Sequence, residues 1–229
     1  MIMHMTRRID KLNETKKQIR PAPLPREFYT RRNTLLIARE LLGRRLVVPA
    51  QDGARVSGII VETEAYQGPE DKAAHSYGNR RTNRTETMFS IGGTAYVFFI
   101  YGMHYQFNVV TGAETIPHAV LVRALEPEEG MEWMRRRRHR RDDKNLTNGP
   151  GKLCQALGID RSYNGADLTG ERLWIEEGLG KLRSNKIASG VRIGIDYAEE
   201  YAAKPWRFWI KDNPYVSKRK EGKTVDSSQ

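Results

Sequence analysis

The sequence predicts an α+β fold: a single compact mixed domain with a mainly antiparallel curved sheet, surrounding helices and a protruding β-hairpin. Three observations favour this class. The chain has 229 residues, 38% of them hydrophobic and 29% charged, which suits one domain with a sizeable core. Several β-branched runs are joined by short turn signals, which is typical of antiparallel pairs. Helical segments are interspersed among these pairs, as in mixed domains.

Hydrophobic periodicity and turn residues define the individual elements. The predicted strands cover residues 46–48, 56–61, 96–101, 105–110, 118–124, 174–176, 191–195 and 207–210. The predicted helices cover residues 34–42, a segment that starts at Pro127 and runs into a group of arginines, and residues 152–157. Gly43 and Gly158 are standard helix stops, while Asp52-Gly53 and Gly102 are expected to turn the two hairpins.

The two ends of the chain differ from the rest in composition. Residues 1–25 are polar and basic and finish in a proline-rich segment, so we expect a disordered or extended arm there. Residues 218–229 are also polar, and we expect a flexible tail with Ser217 at its boundary. The folded domain is therefore expected over residues 26–217.

The charge balance indicates an anionic partner. Lys and Arg number 39 against 28 Asp and Glu, which gives a net charge of +11. A basic domain attracts DNA, RNA or an acidic membrane surface, and charge alone leaves these partners and plain solubility open. The strongest charge run, residues 135–141, is interpreted as a solvated helix end in preference to a phosphate contact.

Cysteine, histidine and hydropathy patterns disfavour other classes. Cys154 is the single cysteine, so an internal disulfide or a thiolate metal cluster cannot form, and a reducing compartment is expected. The five histidines lack metal-site spacing, so we expect neither a metal nor a cofactor. No apolar run reaches the ~20 residues of a membrane span, and the start lacks a signal-peptide stretch. We therefore expect a cytoplasmic protein without a membrane partner.

Two carboxylates follow an apolar strand. At the two-residue period of a strand, Glu62 and Glu64 point to the same side, and acids beside a buried strand are costly unless paired or used. Two interpretations stay open: a salt-bridged strand end, or a general base at the mouth of a cleft. Arg123 lies inside a later apolar strand and needs an acid partner, for which Glu64 is a candidate and Glu126 the local competitor.

The second hairpin carries apolar side chains at its tip. On a basic protein, Tyr101 and Met103 suggest a wedge that enters a base stack, and the alternative is a tip buried by the fold. The turn length sets the register. A two-residue turn starting at Gly102 would put Phe98 and Asn108 on opposite faces, whereas a three-residue turn starting there would pair them and build a pocket. Elsewhere, a lone histidine, His75, follows two alanines, and a structural role is favoured for it.

Together these segments resemble the alkyladenine (3-methyladenine) DNA glycosylase family, the mammalian-type alkylpurine repair enzymes. The likeness is carried by residues 62–76 (ETEAYQGPEDKAAHS), 93–108 with the hairpin tip at 101–103, 121–127 (LVRALEP), 149–157 and 204–208. It covers roughly residues 26–217 in order. The resemblance implies one metal-free α/β domain without a cofactor, which agrees with the element prediction.

The resemblance also implies roles for individual residues. Glu64 matches the catalytic carboxylate, and Arg123 with the main chain near Ile195 matches the groups that hold the water beside it. The other matches are the base pocket (Tyr66, His75, Phe98 and Asn108), the DNA-intercalating tip (Tyr101 and Met103) and two DNA-binding residues (Arg80 and Arg84). The pocket commonly has a tyrosine where this chain has Phe98, so one hydroxyl contact to the base is lost.

The activity implied is that of a monofunctional glycosylase that starts base excision repair. It would flip out and hydrolyse 3-methyladenine, 7-methylguanine, hypoxanthine or etheno-adenine from double-stranded DNA. No lysine matches a catalytic position of the family, so no strand cleavage is expected. The resemblance further implies a monomer, in the nucleoid if the source is bacterial and in the nucleus if it is eukaryotic.

The residues by themselves leave two other classes beside the glycosylase. A nucleic-acid-binding module without chemistry explains the charge, the arginine run and the hairpin tip, but not Glu64 and Arg123 on apolar strands. A nuclease usually needs clustered carboxylates for Mg²⁺, and only the pair Glu62 and Glu64 offers itself. The resemblance favours the glycosylase over both.

Overall fold

Eight strands and four helices form the regular structure of the described residues, which in this computed structural model are 21–50 and 53–217. The strands are β1 (Arg45–Pro49), β2 (Arg55–Gln67), β3 (Ala95–Ile100), β4 (His104–Thr111), β5 (His118–Glu129), β6 (Trp174–Glu176), β7 (Ile187–Gly190) and β8 (Arg207–Ile210). The helices are α1 (Arg26–Tyr29), α2 (Thr34–Leu41), α3 (Met131–Arg138) and α4 (Pro150–Leu157). The predicted α+β class is confirmed.

One open sheet contains all eight strands, and every pairing in it is antiparallel. Its order is β3-β4-β5-β2-β1-β6, while β8 pairs with both β2 and β7. Helix α2 packs on β2, and α4 packs on β4 and β5. The main hydrophobic core is built from these helices and the strand side chains that face them.

The helix limits follow from their caps. Asn33 precedes α2 and its side chain accepts a hydrogen bond from the amide of Leu36 at 2.9 Å, as expected of an N-cap. Pro150 occupies the first position of α4, where its missing N–H costs nothing. Gly158 ends α4 with φ of 74°, a left-handed conformation that favours glycine. The sequence prediction of these two helices is confirmed.

Strand β2 is longer than predicted and corrects the placement of the two carboxylates. It runs for 13 residues, and all its side chains from 56 to 65 are buried. Glu62 and Glu64 therefore lie inside the central strand and not at its end. Neighbouring strands supply arginines opposite them, with Arg207 of β8 directly beside Glu64 in the register. Because these arginines are paired with the buried carboxylates, the strand can continue past Glu62 and Glu64.

Two further element predictions are wrong. The helix predicted from Pro127 starts only at Met131, because β5 continues to Glu129 and places Pro127 opposite Gly58 of β2. Gly130, with φ of 70°, then separates strand from helix. No strand forms over residues 191–195, and the strand in this part of the chain is β7, which ends at Gly190. Residues 191–195 form a loop whose polar groups bind the buried acids described below.

The hairpin of β3 and β4 has neither of the two registers considered from the sequence. Ile100 pairs with His104 and Phe98 with Gln106, so the three-residue loop starts at Tyr101. Tyr101 itself has φ of 53°, a left-handed conformation, so the loop begins at Tyr101 and not at Gly102. Gln106 and Asn108 are two residues apart on β4, so Phe98 and Asn108 share a face as the pocket prediction requires.

Residues at both predicted borders of the domain are buried. Leu24 is buried, and its amide donates to the carbonyl of Ile175 at 2.7 Å. Ser217, at the other end, is also buried. Residues 1–20, the turn residue Asp52 and residues 218–229 lie outside the described residues, so the predictions made for them stay predictions.

Residues 135–138 of the arginine run form the last turn of α3, and residues 139–141 follow the helix. Arg135 pairs with Asp143 at 2.8 Å, and Arg137 donates to the carbonyl of Ala156 in α4 at 3.2 Å. Part of this charge therefore fastens α3 to α4. Within the described ranges no helix is long and apolar enough to cross a membrane.

Candidate active site

A cavity of about 310 Å³ opens between the β3–β4 hairpin, the loop after β2 and the loop after β7. Its wall contains Tyr66, His75, Tyr96, Phe98, Tyr101, Asn108, Arg123 and residues 193–195 with Tyr197. The structure thus brings five predicted pocket and tip residues (Tyr66, His75, Phe98, Asn108 and Tyr101), Arg123 and Ile195 to one place, while Met103 is outside the wall. Sequence positions as far apart as 66 and 197 meet here because β3, β4, β5 and β2 are neighbours in the sheet. Strand β8 pairs with both β2 and β7, and so brings the loop after β7 to the same place.

Glu64 lies directly behind this wall. Its side chain is fully buried; Oε1 accepts a hydrogen bond from the amide of Ile193 at 2.8 Å. Oε2 accepts from the hydroxyl of Tyr66 at 2.9 Å and from Nη1 of Arg123 at 3.1 Å. All three donors line the cavity. A carboxylate offers about four acceptor positions, so these three contacts leave Oε1 room for one further donor.

Arg123 joins both carboxylates. Its Nε donates to Oε1 of Glu62 at 3.0 Å while Nη1 donates to Glu64. Burial works against the charge of Arg123, but Glu64 and Glu62 outweigh it and raise its pKa above the ordinary value. Glu126, the competitor considered from the sequence, instead accepts from Asn213 at 2.7 Å. The predicted pairing of Arg123 with Glu64 is present, and Glu62 is its second partner.

Glu62 belongs to a buried network that the sequence did not reveal. Nε of Arg207 donates to it at 2.7 Å, and Ser217 donates through both its amide, at 2.7 Å, and its hydroxyl, at 2.8 Å. These partners come from β8 and from the end of the described chain, so no local pattern could have named them. Apart from Arg123, the groups that hold Glu62 do not line the cavity, whereas all three donors to Glu64 do.

Tyr66 is held as a hydrogen-bond donor. Burial and then the neighbouring charge of Glu64 raise the pKa of its hydroxyl well above the ordinary value. The hydroxyl therefore stays protonated and donates to Glu64 at physiological pH. Its ring forms one wall of the cavity.

His75 is a neutral side chain at physiological pH. Burial and then the charge of Arg84 lower its pKa to about 4. Nδ1 lies 3.0 Å from the hydroxyl of Tyr96 and Nε2 lies 3.5 Å from Nη2 of Arg84. Because a guanidinium can only donate, Nε2 is assigned as the acceptor and Nδ1 as the protonated nitrogen.

An aromatic wall completes the cavity. The rings of His75 and Phe98 meet edge to face with centroids 4.6 Å apart, and Tyr96 lies 5.2 Å from Phe98. Asn108 donates to the carbonyl of Tyr96 at 3.2 Å, which fixes its place at the pocket edge. Tyr96 was missed from the sequence, although its two-residue spacing from Phe98 on one strand puts both on the same face. Burial raises the pKa of Tyr96 to about 12.

The loop after β7 supplies a main-chain donor to Glu64 that was not predicted, and the water-holding role of the main chain at Ile195 stays a prediction. Ile195 is buried and lines the cavity. The amide that touches Glu64 belongs to Ile193, two residues earlier. The prediction of a strand over 191–195 hid this contact, because a ladder would have occupied that amide.

The predicted DNA-contacting residues lie at the surface, and Tyr101 and Arg84 among them adjoin the cavity. The exposed fraction is 79% for Tyr101 and 68% for Met103, so the tip is not buried by the fold. Arg80 and Arg84 are exposed as well, and the guanidinium of Arg84 lies 5.2 Å from the centre of the Phe98 ring. Tyr197, with 68% exposed, stands at the same mouth and was not predicted.

In the described part of the chain, no group of three histidine, cysteine, aspartate or glutamate side chains is arranged to hold a metal ion. Cys154 is buried in α4, where burial raises the pKa of its thiol. Neither feature adds a reactive group to the cavity.

Fold and site therefore define an enzyme-type pocket: an enclosed aromatic cavity beside a carboxylate held by fixed donors. Comparison with known proteins gives its class. A family model described as methylpurine-DNA glycosylase (MPG) matches residues 27–214. A protein of Desulfitobacterium hafniense is 53% identical over 202 residues, and one of Bacillus cytotoxicus is 51% identical over 203 residues. Each match covers 85% of this chain and 98% of the relative. Both relatives are named "Putative 3-methyladenine DNA glycosylase".

The chain belongs to the methylpurine-DNA glycosylase family. It is a DNA-repair hydrolase that cleaves the N-glycosidic bond of a damaged base, and DNA is its substrate. The resemblance stated from the sequence is confirmed.

Proposed function

We propose that this chain extrudes alkylated or deaminated purines from duplex DNA and hydrolyses them from the sugar at the cavity beside Glu64. The class covers 3-methyladenine, 7-methylguanine, hypoxanthine and etheno-adenine. The observation that carries the proposal is the binding of Glu64 by three donors that all line one aromatic cavity. It acts as a monomer and, since the relatives named above are bacterial, at the nucleoid of a bacterial cell.

The cavity suits an extruded purine. A base inside a duplex is out of reach, so the nucleotide must leave the stack at a cost of a few kcal/mol. Tyr66, His75 and Phe98 offer ring faces and edges to the base, and a cationic alkylated purine gains from such rings by ~1–2 kcal/mol when desolvated. Tyr101, exposed at the mouth, fills the gap left in the stack.

Glu64 carries the chemistry. The glycosidic bond breaks through an oxocarbenium-like state, and an ionised carboxylate stabilises that positive charge. The same carboxylate takes a proton from a water whose oxygen forms the new bond to the sugar carbon. The electron pair of the broken bond leaves with the base. A cationic base then departs as a neutral molecule, whereas hypoxanthine needs a proton from a donor that the sequence did not identify.

The remaining groups act through Glu64. Arg123 and the amide of Ile193 hold one oxygen each by donating to it. Tyr66 adds a third donor that stays protonated. These contacts fix the orientation of the carboxylate behind the cavity wall.

Incubation of the protein with duplexes that each contain one of the four lesions tests this function. Release of the free base with an intact backbone, in the presence of EDTA, is the expected result. Backbone cleavage that EDTA abolishes would indicate a metal-dependent nuclease instead. Covalent trapping of protein on DNA by borohydride would contradict direct hydrolysis by water.

A further inference from the structure

A buried ion pair lies behind the pocket and takes no part in the hydrolysis described above. Asp71 follows β2, and Arg192 follows β7. Nη1 and Nη2 of Arg192 donate to the two oxygens of Asp71 at 2.5 and 2.8 Å, and both side chains are fully buried. Removing two charges from water is costly and often gives little net stability. The other contacts of the pair indicate what it does.

Asp71 organises the loop that carries His75. One oxygen accepts from the amide of Gln67 at 3.1 Å and the other from the amide of Ala73 at 3.0 Å. Since Ala73 and His75 both line the cavity, Asp71 fixes one of its walls from behind.

Arg192 organises the opposite wall and the strand that carries Glu64. It donates to the carbonyl of Ala65, next to Glu64 in β2, at 2.9 Å, and to the carbonyl of Tyr201 at 3.2 Å. Its guanidinium lies 4.7 Å from the centre of the Tyr66 ring. This stacking holds the ring whose hydroxyl donates to Glu64.

The neighbour of Arg192 in the chain is Ile193, whose amide is the donor to Oε1 of Glu64. Two of the three donors to Glu64, the Tyr66 hydroxyl and the Ile193 amide, therefore depend on where Arg192 is placed. Asp71 fixes that place with two parallel hydrogen bonds, a geometry that lysine or a single contact does not provide.

We propose that Asp71 and Arg192 are positioning residues for catalysis: the ion pair clamps the two pocket loops so that Tyr66 and Ile193 hold Glu64 in its reactive orientation. This inference rests on the proposed role of Glu64. A misplacement of about 1 Å in such a site can cost roughly 100-fold in rate. The clamp therefore acts on the rate of excision and not on the affinity for DNA.

The double variant Asp71→Asn/Arg192→Gln tests the clamp. It removes the pair without changing the net charge and leaves hydrogen-bonding groups on both sides. We expect the single-turnover rate of excision to fall by roughly 100-fold. The Kd for an undamaged duplex should stay as in the wild type. Arg192→Lys, which keeps the charge but loses the fork and the stacking, should give an intermediate rate.

The comparison of rate with affinity separates positioning from general loosening. A drift of the Ile193 amide and the Tyr66 hydroxyl from Glu64 lowers the single-turnover rate of excision. The affinity for an undamaged duplex does not depend on these two contacts, because Glu64 is buried behind the cavity wall. We therefore expect the rate to fall while the Kd stays the same.

A matched control is the buried pair of Arg55 and Glu176 on the β1–β2–β6 side of the sheet. Glu176 is fully buried and also accepts from Arg45 and from the indole of Trp174, and none of these residues lines the cavity. Arg55→Gln/Glu176→Gln should lower Tm to a similar degree and leave the excision rate of the folded protein unchanged.

The outcomes are distinguishable. A rate loss at unchanged Kd in the Asp71/Arg192 double variant, absent from the control, supports the clamp. If the wild type is active and the Asp71/Arg192 double variant keeps a rate within twofold of it, the clamp is contradicted but the proposed function is not. Equal losses of excision rate in the two double variants would also contradict the clamp alone. A wild type that excises no base would overturn the proposed function and the clamp with it.

Discussion

At the scale of single residues, the site contains two buried glutamates of one strand with different surroundings. Both are bound by Arg123. Glu62 is enclosed by Arg207 and Ser217 in addition, whereas every donor to Glu64 faces the cavity. The two residues are of the same type, so any difference in their roles comes from their neighbours: those of Glu62 point to a structural role, and those of Glu64 support its proposed catalytic role.

Glu62→Gln should therefore destabilise the protein strongly. The change leaves Arg207 buried without a charged partner among the described residues and weakens the anchor of Arg123. Breaking a buried ion network by removing one member costs ~3–5 kcal/mol in the free energy of unfolding. Urea denaturation measures this free energy. The control is Glu126→Gln, which loses only the half-buried contact to Asn213 and should cost less than ~1 kcal/mol. Equal losses of stability in the two variants would contradict the structural role of Glu62.

His75 should make stability depend on pH. Its pKa is about 4 in the folded protein against an ordinary value of 6.5. Between these values the unfolded chain binds more protons than the folded one, so the free energy of unfolding falls as the pH drops from 6.5 towards 4. One histidine contributes at most about 1.4 kcal/mol per pH unit.

The variant His75→Gln isolates this contribution. The pKa of His118 is also lowered by burial, so wild type and variant share that part of the pH dependence and only their difference counts. We expect urea titrations across this pH range to show a flatter decline for the variant. Parallel curves would mean that His75 is not held neutral.

At this scale the sequence predicted the acid partner of Arg123, because a buried arginine inside an apolar strand needs one. It could not predict the whole network. Arg207 and Ser217 lie 145 and 155 positions from Glu62, and nothing in their local sequence marks them as partners of a carboxylate. The amide of Ile193 was likewise hidden, since any residue can supply a main-chain donor.

At the scale of elements, the β3–β4 hairpin combines a buried face and an exposed tip. Phe98 and Asn108 point into the cavity, and the loop from Tyr101 to Met103 extends into solvent. Alternation along the strands predicted the shared face. The register was not predictable, because Tyr101 adopts a left-handed conformation in which glycine or asparagine is the usual residue.

Tyr101→Ala should weaken excision from a duplex without affecting folding. The side chain is almost fully exposed, so little packing is lost, but the gap in the base stack is no longer filled. We expect a fall in the excision rate with an unchanged Kd for undamaged DNA. Because a single strand has no stack to fill, the effect should largely vanish on a single-stranded substrate.

Phe99→Ala is the control within the same hairpin. Phe99 is also exposed, but it packs against Tyr105 with centroids 4.9 Å apart and does not line the cavity. Its excision rate on duplex DNA should match the wild type. A loss as large as that of Tyr101→Ala would mean that the hairpin acts through its stability and not through its tip.

Elements with strong local signals were predicted well, and elements decided by distant partners were not. Helix α4 has a proline at its start and a glycine at its end. The helix expected at Pro127 does not start there, and Pro127 lies in β5 instead, because pairing with β2 outweighs a local helix-start pattern. Residues 191–195 are apolar enough for a strand. They form a loop instead, in which the amide of Ile193 and the side chain of Arg192 donate to buried acids.

At the scale of the whole molecule, the net charge of +11 governs association with DNA. Binding should weaken linearly with the logarithm of salt concentration, with a slope near −0.9 for each phosphate contacted. Arg80→Ala and Arg84→Ala should each reduce the slope by about 1 if they contact phosphates. Fluorescence anisotropy at several salt concentrations measures this slope.

Arg183→Ala is the control, because Arg183 is exposed and lies outside the cavity wall, and this variant should leave the slope unchanged. Unchanged slopes in all three variants would mean that neither Arg80 nor Arg84 contacts a phosphate.

The central claim is that Glu64 activates the water that replaces the base. The most direct measurement is the single-turnover excision of hypoxanthine and of 3-methyladenine from a duplex by Glu64→Gln. Glutamine keeps the shape and one acceptor but cannot take the proton. The account predicts a folded variant with wild-type affinity for undamaged DNA and an excision rate roughly 100- to 10,000-fold lower. Excision by Glu64→Gln at the wild-type rate would contradict it.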